Sequence, residues 1–128
     1  MFGLYSNYLR RQINSQRANI NKINEDINKY EQAQRDGSIA EDGFVGARDI
    51  LIDINGSLPG ILEGEAADAF SYLLQNYKRD CNDRARSMRN LIKVCQKRIA
   101  DLEKQKKQAE NTIAVLQSIL NFTSKFNI

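Results

Sequence analysis

Apolar residues recur along this chain at alternating steps of four and three, the spacing that lines up one face of a helix. Leu9, Ile13, Ile20, Ile23, Ile27 and Tyr30 keep that rhythm in the first half, with polar Gln16 in the one vacant place. Phe70, Leu74, Tyr77, Cys81, Met88, Ile92, Cys95, Ile99, Leu102, Ala109, Ile113, Leu116 and Leu120 keep it in the second. Each run puts one narrow apolar seam on a helix, and a seam of that kind is stable only when another helix covers it. The pattern predicts an all-α chain: one long, coiled-coil-like antiparallel helical hairpin, a single domain over 1–128.

Breaks in the pattern set the expected boundaries. Asp36, Gly37 and Ser38, then Gly43 and Gly46, are residues that ordinarily end a helix. Counting in sevens from Leu9 nevertheless reaches Gln16, Ile23, Tyr30, Gly37, Phe44, Leu51 and Leu58, so the same face is apolar again beyond the first glycines. The expectation is a first helix over about 4–35, a kinked or softened stretch, and a continuation over about 43–54. Pro59 then stops it, because proline lacks an amide donor and disfavours helix at the preceding residue. A turn over 55–65, with the glycine turn itself near 59–65, and a second helix over about 66–122 complete the hairpin.

Composition narrows the chemistry. The chain has no histidine and no tryptophan, so the commonest general base and the commonest neutral metal ligand are both missing. The acids from Asp36 to Asp68 show no calcium-loop spacing. No catalytic residue, cofactor or metal ligand is expected, and the chain does not read as an enzyme. Cys81 and Cys95 fall fourteen positions apart on one predicted helix, roughly 21 Å by helical rise, too far to bridge. Both sit on the seam, which suits small buried hydrophobes kept reduced.

No uninterrupted apolar run is long enough to span a bilayer. The first residues are apolar and aromatic before Arg10 and Arg11, the reverse of a secretory signal's charge order, so no cleavable signal is expected and the protein is expected to be made in the cytoplasm.

Charge is unevenly placed. From Asp36 to Asp68 eight acids stand against Arg48 alone, a net −7, whereas from Lys78 to Lys107 eleven bases stand against four acids, a net +7. Among the bases, Arg79, Arg84, Arg86, Arg89, Lys93, Lys97 and Arg98 raise the question of nucleic acid. Interspersed acids, and the lack of interleaved aromatics beyond Tyr77, argue against it. Solvating an outer face and matching an acidic surface, on a partner or on the same fold, is the expected role.

The turn carries the most specific pattern. Leu62, Gly64, Ala67 and Phe70 give a bulky apolar residue, a glycine two places on, an alanine and then a phenylalanine, set between two long helices. Physically this is a turn whose glycine takes a left-handed conformation, followed by a helix start with Glu65 and Asp68 near its positive end. The arrangement resembles the WxG-type helical hairpins of type VII secretion, with YwqH-like proteins the nearest subfamily; Leu62 stands where the family has tryptophan.

The resemblance implies an adaptor that pairs with the helical N-terminal targeting domain of an LXG toxin, with or without a second small helical protein, and that is either co-exported with it or retained. The family's export signal, an aromatic followed four residues later by an acid, is missing, since Cys81 follows Tyr77 and Phe126 follows Phe122 at that distance. On this reading the partner supplies the signal. A partner-binding seam is expected at Ile23, Ile27, Tyr30, Leu51, Leu74, Met88, Leu91 and Leu102, with Phe70 beside the turn, although the same residues equally suit the hairpin's own core. The alternatives are a homodimeric or larger structural rod and a toxin-neutralising immunity protein.

Overall fold

The computed structural model describes residues 2–126. Two long helices, α1 (Phe2–Ser57) and α2 (Gly64–Lys125), are joined by a 3-10 turn at Leu58–Gly60. The fold is the all-helical hairpin that the apolar rhythm predicts. Its packing divides into two compact units, one of residues 1–31 with 96–128 and one of residues 32–95.

In the first unit the antiparallel pairing is direct. Leu9 and Ile13 of α1 pack with Leu120 of α2, flanked by Ile113 and Leu116. Further along, Ile23 and Ile27 pack with Leu102, flanked by Tyr30 and Ile99. All of these come from the sequence rhythm. Each aliphatic side chain buried this way contributes on the order of 2 kcal/mol before the chain's ordering entropy is counted.

The second unit corrects the expectation of an interrupted first helix. α1 runs unbroken through Asp36–Gly46. Gly37 is buried on the inward face, where an added Cβ would lie 3.3 Å from Ile92 Cγ1 and 3.6 Å from Leu91 Cδ2. It is a point of close helix approach and not a break. Gly43 and Gly46 have nothing within 4 Å of an added Cβ, so they weaken the helix intrinsically but obstruct nothing. A helical glycine costs about 1 kcal/mol, less than the seam on either side contributes.

The start of α2 is corrected as well. Phe70 and Tyr77 lie on the predicted seam, yet they are 44% and 59% exposed. The inward places are taken by Ala67, Ser71, Leu74, Lys78, Cys81 and Ala85, a line one position away from Phe70 and Tyr77. Small side chains at Ala67, Ser71 and Ala85 hold inward places on this line, and the rings of Phe70 and Tyr77 lie on the flank. Ser71 Oγ donates to Asn55 Oδ1 across the pair at 2.9 Å, which gives this inward polar position a partner. Ala85, only 1% exposed, is a core residue the rhythm passed over.

The turn follows from three residues. Pro59 falls in the first turn of the 3-10 segment, which α1 cannot continue through. Leu58, 5% exposed, anchors the turn, and its carbonyl accepts the amides of Ile61 (2.9 Å) and Leu62 (2.8 Å). Gly64 has φ +65°, the left-handed conformation expected of it, and opens α2 with Glu65 in the first turn.

Four substitutions should behave differently in thermal unfolding of the chain. Gly64→Val should lower stability by roughly 1 to 2 kcal/mol, because a β-branched residue is strained at that φ and no neighbour is near enough to add to the cost. Gly60→Ala, in open space, should not; equal losses would place the constraint outside Gly64. The helical glycines should split in sign. Gly43→Ala should raise stability by about 0.5 to 1 kcal/mol, whereas Gly37→Val should lower it by about 1 to 3 kcal/mol as its methyls meet Ile92.

Seam and surface should separate just as clearly. Leu74→Asp or Leu102→Asp puts an unpaired carboxylate into a dry interface and should cost about 3 kcal/mol or more. Lys97→Ala or Lys107→Ala, both exposed, should stay within about 0.5 kcal/mol. Comparable losses from the two kinds of change would overturn the assignment of the core.

Candidate protein-interaction surface

Of the seam residues expected to bind a partner, Ile23, Ile27, Leu74 and Leu102 are buried in the hairpin's own core. Tyr30, Leu51 and Met88 are half-buried beside it. Leu91 alone is exposed, at 41%. The large apolar residues that stay exposed lie elsewhere, at positions that the single-seam reading left aside or placed inward.

In the residue 32–95 unit the two sides of the helix pair differ in character. At about 100° per residue, Ile50 and Ile54 lie on α1 about 100 to 140° round from the inward line. Phe70, Leu73 and Tyr77 lie on α2 about 40 to 100° round from Leu74, in the same rotational sense. Because the helices are antiparallel, offsets of the same sense fall on the same side of the pair. These five residues therefore share one side, and all are between 41% and 61% exposed. Next to them on α1, Gly43 and Ala47 keep the surface low.

The opposite side is charged. Arg89 reaches across to Glu41 at 3.4 Å, and Arg48 Nη1 donates to Asn82 Oδ1 at 3.3 Å. By the same helical arithmetic Asp42 and Asp49 of α1 face this side, as do Arg79, Arg86 and Lys93 of α2. Arg89 to Glu41 thus joins the basic stretch of α2 to an acid of α1 within one fold, one of the two roles that the charge distribution left open. On the apolar side the charge contact is different in kind: the Arg84 guanidinium lies 5.9 Å from the centre of the Phe44 ring.

The residue 1–31 and 96–128 unit carries a second exposed stripe. Val115, Ile119, Phe122 and Phe126 recur at steps of four, three and four, offset from Leu120, and are 36% to 60% exposed. Phe122 and Phe126 pack ring to ring at 4.7 Å. On α1, Tyr5 and Tyr8 stack at 6.5 Å and are offset from Leu9 in the same rotational sense, which puts them on the same side of this unit. A second stripe of this kind is legible in sequence only when apolar positions outside the main rhythm are tested for a rhythm of their own.

The turn residues form a shallow cleft. Leu58, Leu62, Gly64 and Ala67 line it together with Asn55 and Ser71, Glu63 and Asp68 stand at it, and its volume is about 510 Å³. Of the four motif positions, Leu62, Gly64 and Ala67 border the cleft, and Phe70 turns away to the apolar side.

Cys95 is buried and Cys81 half-buried, both as free thiols. Among the described residues no group of three His, Cys, Asp or Glu side chains is placed to hold a metal ion. No described helix is long and apolar enough to cross a membrane. No protein family, curated protein or solved structure matches this chain.

Proposed function

We propose that this chain is a helical adaptor that pairs with a helical partner, with the N-terminal targeting domain of a type VII secreted LXG toxin as the partner suggested by its resemblance to YwqH-like hairpins. The observation that supports pairing is the sidedness of the hairpin. In the 32–95 unit, Ile50, Ile54, Phe70, Leu73 and Tyr77 stay in water on one side while the core is already closed between the helices. A third helix laid along that side turns a two-helix layer into a bundle and buries what the hairpin alone leaves exposed. Mass action supplies the chaperone effect, because a ligand that binds only the folded partner stabilises it in proportion to its own concentration.

The partner assignment rests on Leu62, Gly64, Ala67 and Phe70, and the missing export signal fits an adaptor carried by its partner. In cells with an active type VII system, removing this chain should reduce the abundance or secretion of the partner toxin and leave unrelated substrates of the same apparatus unaffected. Pull-down should recover the toxin's helical N-terminal half. Recovery of its catalytic end instead would make the chain an immunity protein. A single homomeric species with no protein partner would make it a structural rod.

A further inference from the structure

We infer that the apolar side of the residue 32–95 unit docks on the same side of a second copy of this chain, antiparallel to it across a two-fold axis. This goes beyond the adaptor reading, since it concerns what covers that side when no other partner is bound. The line on α2 is longer than Phe70, Leu73 and Tyr77. Leu91 and Val94 lie about 40 and 100° round from buried Cys95, in the sense in which Phe70 and Leu73 lie from Leu74, and are 41% and 62% exposed. Asp80, Arg84 and Ser87, all exposed, carry the line from Tyr77 to Leu91 at steps of three and four.

This line complements its own reversal. With Asn82 as the midpoint, Phe70 falls opposite Val94, Leu73 opposite Leu91, Tyr77 opposite Ser87 and Asp80 opposite Arg84, each pair formed between the two copies and formed twice. The pairs set apolar on apolar, large on small and acid on base. Asp80 and Arg84 already meet at 3.1 Å within one chain, so the dimer gathers two acids and two bases of alternating sign at its centre.

On α1 the same side gives the same answer independently. Gly43, Ala47, Ile50 and Ile54 follow one another there at steps of four, three and four. Reversed about a midpoint between Arg48 and Asp49, Ile50 falls opposite Ala47 and Ile54 opposite Gly43, so each large side chain meets the space left by a small one. An added Cβ at Gly43 has nothing within 4 Å, so that space is open. The two midpoints are level with each other, because Arg48 Nη1 donates to Asn82 Oδ1 across the hairpin at 3.3 Å. One two-fold axis therefore serves both helices, as a self-complementary interface requires, and it closes the two hairpins into a four-helix bundle. A foreign helix would give no reason for both lines to fit their own reversal about a common level.

The test is sedimentation velocity on the full chain. The unaltered chain should run as a dimer that dissociates on dilution. Asp80→Arg and Arg84→Asp, each alone, bring like charges face to face and should raise the dissociation constant about tenfold or more at low salt. Mixed, the two variants should pair with each other more tightly than either pairs with itself, and both exchanges in one chain should restore self-association. Gly43→Leu fills the seat of Ile54 and should weaken the dimer while circular dichroism shows the hairpin still folded.

A chain that stays monomeric at about 0.1 mM would overturn the self-docking. Recovery of the toxin's N-terminal half by that same monomer would leave the adaptor reading standing. A dimer indifferent to the charge exchanges would overturn this interface, whereas a dimer that follows them in a chain recovering no toxin would uphold it and overturn the adaptor reading alone.

Discussion

Two helices can cover only one strip of each other. Everything else in this chain follows from that limit. A helix in a two-helix layer buries roughly the residues within one narrow arc, and any further apolar residue on either helix stays in water unless a third helix arrives. Here the inward arc is filled by Leu9, Ile13, Ile23 and Ile27 of α1 and by Leu74, Ala85, Cys95, Leu102 and Leu120 of α2, all buried. Some of the remaining large apolar residues form stripes on a flank, as Val115, Ile119, Phe122 and Phe126 show most plainly, while Ile39, Ile52 and Tyr72 stand apart from them. Isolated exposed apolar residues need no explanation, but stripes at helical spacing do.

Small residues decide where the strip runs. At Gly37 the missing side chain lets Ile92 into the α1 surface, and small Ala67, Ser71 and Ala85 hold inward places on α2. With those places inward, Phe70 and Tyr77 fall outside the buried arc. The same substitution of small for large therefore tightens the hairpin and creates its exposed face. Packing within the chain and the exposed apolar flank are two consequences of one choice of residues.

Much of this was legible in the apolar rhythm. A period of three and four is a strong signal over long runs, and it placed both helices, the turn and most of the first unit's core. Gly64 was legible for a separate reason, because a turn between antiparallel helices needs a left-handed residue and few others tolerate that φ. The glycines at 37, 43 and 46 misled, because glycine's intrinsic penalty is local whereas the stability of a long helix is set by tertiary packing. The one-position shift at Phe70 was hidden as well: a rhythm of large residues cannot register that Ala67, Ser71 and Ala85 are inward, since small residues score as neither core nor surface.

The division between core and interface was the part least accessible from sequence, and the structure gives it physical content. A residue buried between α1 and α2 meets a partner only if the helices part, so Ile23, Ile27, Leu74 and Leu102 are unsuited to recognition in the closed hairpin. On the adaptor reading proposed above, recognition would fall to flanking residues that the closed hairpin leaves in water, where a change of side chain alters the surface without emptying the core. On that reading the two roles are separable by mutation, since a change at an exposed flank leaves the hairpin's core intact. The charged side reinforces this separation. With Arg89 held against Glu41 and acids and bases already facing each other there, a partner gains little by displacing them, and the apolar side is left as the face on which a third helix has most area to bury.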